Sequence, residues 1–136
     1  MADALAPFSF RRQPSQTGLM GIVNVTPDSF HESSRQASVS EAISNAQMMI
    51  QAGAEIIDIG GESTRPGSEP VSIEQELKRV ISVISGLRES DSSVSISIDT
   101  RRHQVAEMAL DAGANIINDV SGLRSPSMME LVLERK

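Results

Sequence analysis

The chain has 136 residues, of which 39% are hydrophobic and 2% aromatic, with no Cys, Trp or Tyr and a net charge of −6. This length suits one domain whose core is built from Ile, Val, Leu, Met and Ala, as in layered α/β structure. The acidic balance and the presence of only three Phe argue against a nucleic-acid partner, and the lack of cysteine excludes disulfides and thiolate metal sites. No apolar run is long enough to span a bilayer and no secretory h-region precedes the domain, so no membrane partner is expected and the cytosol is the expected compartment.

Residues 1–17, rich in Pro, Ser and Gln, read as an irregular lead-in, and residues 18–136 as the domain. The run Leu19 to Val25 reads as a buried strand closing at Asn24, ended by Thr26-Pro27-Asp28 because proline cannot donate to a sheet ladder. Residues 31–37 read as a polar loop. Ser38 with Glu41 three residues on has the form of a capping box, so a helix is expected over about 39–52, carrying Val39, Ile43, Ala46 and Ile50 and closed by Gly53. A second strand is expected over 54–59, opening into a loop that runs to Val71 and carries Arg65 between Gly61 and Gly67.

Ser72 with Gln75 is a second capping box. The helix it opens carries Ile73, Leu77, Val80, Ile81, Ile84 and Leu87 on one stripe. A third strand over 94–99 alternates apolar residues with serines that would face either a narrow interior or a flanking helix. A third helix from about Arg101 to Ala112 is expected to bury Val105, Met108 and Ala109. Gly113 would close it, a fourth strand would span 114–119, and Ser125-Pro126 would start a fourth helix. The segment Ala52-Gly53-Ala54-Glu55-Ile56-Ile57-Asp58 recurs as Ala112-Gly113-Ala114-Asn115-Ile116-Ile117-Asn118, so one helix-end, glycine, strand module is used twice.

Four βα units at about thirty residues each fit the first half of a TIM-type (β/α)₈ barrel. A doubly wound nucleotide-binding sheet would want a glycine-rich turn after the first strand, where Asn24-Val25-Thr26-Pro27-Asp28 stands instead. In a barrel, the strand ends would bring Asn24, Asp58, Glu62, Asp99, Asn118 and Asp119 to one mouth, although Asn and Asp are also common turn formers. No Ser is set with a His and a carboxylate, and His31 and His103 read as solvated, so a covalent hydrolase is not expected. Asn and carboxylate oxygens suit a hard cation such as Mg²⁺, or the N–H edge of a heterocycle. Arg65, in its glycine-bounded loop, suits an anion or an aromatic ring.

Four segments together, Met20-Gly21-Ile22-Val23-Asn24-Val25-Thr26-Pro27-Asp28-Ser29-Phe30, Asp58-Ile59-Gly60-Gly61-Glu62-Ser63-Thr64-Arg65-Pro66-Gly67, Ser97-Ile98-Asp99-Thr100 and Ile117-Asn118-Asp119-Val120, resemble dihydropteroate synthase across residues 19–136. The resemblance implies a barrel enzyme of folate biosynthesis. Such an enzyme joins 6-hydroxymethyl-7,8-dihydropterin diphosphate to 4-aminobenzoate and releases diphosphate, with Mg²⁺ on the departing group. By the same motifs, Asn24 would be the metal ligand, Asp99 and Asn118 would line the pterin pocket, and Thr64, Arg65 and Pro66 would surround the aminobenzoate. Asp58 joins them as a substrate-binding residue on the strand-end argument.

The sequence departs from the family in two places. His31-Glu32-Ser33-Ser34-Arg35 stands where an Asp-Gly-Gly type segment is usual, and the family's second-half strands have no counterpart here. The expected partners are therefore the two small substrates and either the missing C-terminal half or a second copy in a homodimer. A pterin- or methyltetrahydrofolate-binding methyltransferase domain and a non-catalytic half-barrel binding module are the alternatives.

Overall fold

The computed structural model describes residues 17–25, 32–62 (backbone alone for 32–37), 66–67 and 69–135. Strands β1 (Met20–Asn24), β2 (Ile56–Gly60), β3 (Ser95–Asp99) and β4 (Ile116–Asn118) alternate with helices α1 (Glu32–Gln51), α2 (Ile73–Ser90), α3 (His103–Ala112) and α4 (Pro126–Glu134). The strands form one parallel sheet in the order β1-β2-β3-β4. This strictly sequential order has no reversal point, so it excludes the doubly wound alternative and fits half of a (β/α)₈ barrel.

The helices lie on one side of the sheet. Val23, Ile57, Ile59, Ile96 and Ile98 pack in one buried cluster with Ala42 and Ala46 of α1, Val80, Val83, Ile84 and Leu87 of α2, and Val105 and Ala109 of α3. Because successive strand residues face opposite ways, the alternating partners Met20, Ile22, Asn24, Asp58, Ser95, Ser97 and Asp99 occupy the other, inner face. The serines of β3 thus face the interior. Each of the four fully buried isoleucines of β2 and β3, Ile57, Ile59, Ile96 and Ile98, contributes roughly 1.5–3 kcal/mol relative to exposure.

The sequence repeat is also a structural repeat. Gly53 and Gly113 both have positive φ, at 106° and 119°. After α1, Ala54 N donates to Met49 O at 2.9 Å and Gly53 N to Ile50 O at 2.9 Å. After α3, Ala114 N donates to Ala109 O at 2.9 Å and Gly113 N to Leu110 O at 3.1 Å. Each pair is the double closure of a Schellman ending, which a left-handed glycine makes possible. The closures take up Ala54 and Ala114, so β2 and β4 start at Ile56 and Ile116 rather than at 54 and 114.

Three local expectations are corrected. Residues from Glu32 onward are helical, not a polar loop, because nothing between 32 and 38 breaks a helix; Ser38 therefore lies inside α1 and does not cap it. Met108 is 47% exposed: the buried stripe of α3 is Val105, Ala106 and Ala109, with Ala106 turned under Met128 and Leu131 of α4. Asp119 belongs to a turn and not to β4. By contrast, Ser72 and Gln75 form the expected reciprocal capping box, and α4 starts at Pro126 after Ser125, although the Ser125 side chain makes no capping bond.

Candidate functional site at the carboxyl ends of the strands

Register decides which polar side chains meet. Asn24 pairs with Gly60, Gly60 with Asp99, and Asp99 with Asn118, so these four positions form the last inward-facing row of the sheet. The row beneath it is Ile22, Asp58, Ser97 and Ile116. Gly60 is the gap in the upper row: a Cβ there would lie 3.4 Å from both Cβ and Oδ2 of Asp99. The missing side chain leaves Asp99 room beside β2.

The carboxyl and amide groups of the two rows are connected. Asn118 Nδ2 donates to Asp58 Oδ2 at 3.2 Å. Asp58 is 4% and Ser97 0% exposed, and Asp58 Oδ1 and Ser97 Oγ have no hydrogen-bond partner. Two unpaired buried oxygens side by side are costly, and they face the interior that a ligand or water would fill. Burial pushes the Asp99 carboxyl above its ordinary value, assisted by the negative charges of Asp58, Glu76, Asp119 and Glu62. Such a group is poised to accept hydrogen bonds from N–H donors of a neutral ring.

Asn24 is exposed in β1, and the cavity of about 190 Å³ beside it is lined by Val23, Ser38, Glu41, Asn45 and Met49 among others. Among the described residues no group of three or more His, Cys, Asp and Glu side chains could hold a metal ion. Thr64 and Arg65 lie outside the described residues, as do residues 26–31. Pro66 sits exposed in a turn followed by Gly67 at φ 84°.

Two of the strand-end acids do other work. Asp119 Oδ1 accepts from Ser121 N and Oγ, both at 2.8 Å, and Oδ2 accepts from Leu123 N at 3.1 Å. It is a turn builder that supports Leu123 at φ 59°. Glu62 faces Arg101 at 3.3 Å and Arg102 at 3.5 Å. Sequence reasoning missed Glu76, which is 1% exposed: its Oε1 accepts from Thr100 Oγ1 and its Oε2 from Arg102 Nη1, both at 2.7 Å. The signal was a carboxylate one turn before Val80 on the buried stripe of α2.

No helix of the described residues is long and apolar enough to cross a membrane. Residues 20–136 match the family model described as pterin binding enzyme. The chain is 48% identical over 122 residues to the dihydropteroate synthase of Synechocystis, covering 89% of this chain and 42% of that protein. It superposes on the dihydropteroate synthase of Xanthomonas albilineans, solved with 4-aminobenzoic acid, with a TM-score of 0.80 at 42% identity, covering 89% of this chain and 44% of that one. The corresponding enzyme of Burkholderia cenocepacia, complexed with 7,8-dihydropteroate, gives 0.74 at 42% identity over 87% of this chain and 38% of that one. The chain spans less than half the length of the curated relatives it matches. With the parallel half-barrel, its inward polar rows and this match over residues 20–136, the chain belongs to the pterin binding enzyme family.

Proposed function

We propose that this chain forms the pterin-binding half of a dihydropteroate synthase site, serving the condensation of 6-hydroxymethyl-7,8-dihydropterin diphosphate with 4-aminobenzoate to dihydropteroate and diphosphate. The observation that carries the reading is the inward row Asn24, Gly60, Asp99 and Asn118 above Asp58. Asp99 would accept from the ring N–H edge of the pterin. The bond to Asp58 uses one Nδ2 hydrogen of Asn118 and leaves its carbonyl oxygen for the ligand. Held in this way, the methylene carbon faces the amine. The new C–N bond forms as the C–O bond to diphosphate breaks, and the nitrogen gives up one proton. The aromatic amine is neutral near pH 7, so positioning and charge stabilisation matter more than a strong base.

Asn24 fits Mg²⁺ only as a single neutral oxygen ligand, with diphosphate and water supplying the rest, as is usual for this cation. When bound, Mg²⁺ would neutralise charge developing on the departing diphosphate. The roles of Thr64, Arg65 and Pro66 at the aminobenzoate are proposed from their motif. Titration with 6-hydroxymethylpterin, followed by its fluorescence, tests the pocket, and a diphosphate-release assay with both substrates and Mg²⁺ tests the reaction. Failure of the chain to bind pterin in competition with simple purines would overturn the reading. Tight binding of methyltetrahydrofolate in place of the pterin diphosphate would favour the methyltransferase alternative.

A further inference from the structure

Glu76 lies on α2, outside the barrel wall, yet it is buried and holds two partners. One is Thr100, the residue after Asp99. The Thr100 hydroxyl donates to Glu76 Oε1 at 2.7 Å and accepts from Arg102 N at 3.1 Å, while Thr100 N donates to Asn118 O at 3.1 Å. This one residue thus joins the end of β3 to β4, to α2 and to the start of α3. The second partner, Arg102, reaches Glu76 Oε2 at 2.7 Å and approaches Glu62 at 3.5 Å. From the same helix as Glu76, Arg79 Nη1 donates to Gly61 O at 2.6 Å. Gly61 lies directly on Glu76: a Cβ there would come within 3.3 Å of Glu76 Cγ and of its carbonyl oxygen.

A buried ion pair rarely adds stability over a well-packed apolar pair, so its presence calls for another role. Every branch of this network ends next to a polar residue of the mouth: Thr100 beside Asp99 and against Asn118, and Arg79 and Arg102 at Gly61 and Glu62. We infer that Glu76 is a positioning residue for the pterin site, acting through Thr100 and Arg102 to fix Asp99 and Asn118 where both can hold one ligand. The inference rests on the pterin-binding reading of the mouth.

The groups facing Asp99 are Asp58 of β2, Glu62 beyond it, Asp119 beyond β4 and Glu76 of α2, with Arg102 of α3 paired to the last of these. Removing the Glu76 charge takes away one contribution that holds the Asp99 carboxyl up, so the acid limb of pterin binding should move to lower pH. Thr100→Val keeps the side-chain shape and deletes the hydroxyl, whereas Thr100→Ser keeps the hydroxyl.

The test measures 6-hydroxymethylpterin affinity against pH and hydrogen exchange of residues 99–119 in the 136-residue chain. Glu76→Gln is expected to weaken binding near pH 7 about tenfold and to shift the acid limb downward. Thr100→Val is expected to weaken binding by a similar factor with faster exchange at Thr100, and Thr100→Ser to stay within about twofold of wild type. Weaker binding with an unmoved acid limb and no rescue by serine would mark a merely structural role and overturn the inference. So would wild-type affinity in a folded Thr100→Val chain. If Thr100→Val does not fold, the pH limb of Glu76→Gln decides. If the wild-type chain binds no pterin, the functional reading fails, and exchange across residues 99–119 judges the positioning role: unchanged protection in Glu76→Gln would overturn it.

Discussion

Asn118 on β4 donates through Nδ2 to Oδ2 of Asp58 on β2 at 3.2 Å, reaching over the strand between them. The two residues are equivalent positions of the internal sequence repeat, so the repeat places an amide and a carboxylate where they bond to each other. The bond runs diagonally over β3, between Ser97, the register partner of Asp58, and Asp99, the register partner of Asn118. The bond orients the Asn118 amide, which rotates freely otherwise.

Asp58 should therefore trade stability for function. Its Oδ1 is buried without a partner, so Asp58→Leu removes a costly buried carboxylate oxygen and should hold or raise the melting temperature. Pterin affinity should fall about tenfold, or ~1.4 kcal/mol, as Asn118 loses its orientation. Calorimetric titration and thermal melts on the same samples check both; a variant that loses stability but binds normally would refute the assignment.

Asp99 should show the same trade with a pH signature. Its folded carboxyl titrates above the ordinary value, chiefly through burial. A group raised in this direction contributes stability that is full below its unfolded value and is lost as pH rises through the folded one. Asp99→Asn carries no charge to desolvate, so it should gain on wild type as pH rises from about 3 to 7, with the two curves converging at the acid end. Asp99→Ala should cost about 2–3 kcal/mol of pterin binding. Glu107→Ala, on the exposed side of α3, should cost none. Arg102 is unsuitable as a bland control, because it is bonded to buried Glu76.

The strands were legible because their signals are local. β-branched runs mark the strands, glycines with positive φ mark Gly53 and Gly113, and Asp99 follows as the last residue of its run, whereas the fourth run reads on to Asp119 and hides the end of β4 at Asn118. Register then turned a set of strand ends into a row, and a sequential sheet order needs no information beyond short crossovers. Glu76 was not legible, since its burial is settled by Thr100 and Arg102, which lie 24 and 26 residues away. Without those partners a carboxylate on an apolar stripe reads as a stripe edge. The start of α1 was missed for a different reason: a capping-box pattern at Ser38 is only a preference, and Glu32 to Ala37 contains no residue that opposes helix.

Arg88 should be a stability residue with no role in binding. Its Nε and Nη2 donate to Gly113 O at 3.1 and 2.8 Å, and its Nη1 to Val94 O at 2.9 Å and Asp91 O at 3.2 Å. It thereby ties the end of α2 to the approaches of β3 and β4, on the side opposite the mouth, where barrel residues serve stability. Arg88→Ala strands several carbonyls and should cost about 2–3 kcal/mol in urea unfolding. Arg88→Lys should recover little, as an ammonium cannot span the same acceptors. Pterin affinity, extrapolated to the folded fraction, should be unchanged in both.

The inner face of β1 determines how the isolated 136 residues behave. Met20 and Ile22 are 47% and 59% exposed, although they continue the sheet surface that in a closed barrel would be packed. β1 pairs only with β2 among the described strands, so its other edge offers unsatisfied N–H and C=O groups beside this apolar strip. Both features favour association with more strands. A second copy would bring another Asn24 and Asp99 to the opposite side of the mouth, where a diphosphate needs cations, so pairing of copies should not produce an efficient enzyme. The isolated chain is expected to self-associate at micromolar concentration with little or no diphosphate release, and Ile22→Lys is expected to shift it toward monomer. Sedimentation velocity with a coupled diphosphate assay checks this: a monomer that turns over both substrates would show that these residues alone complete the site.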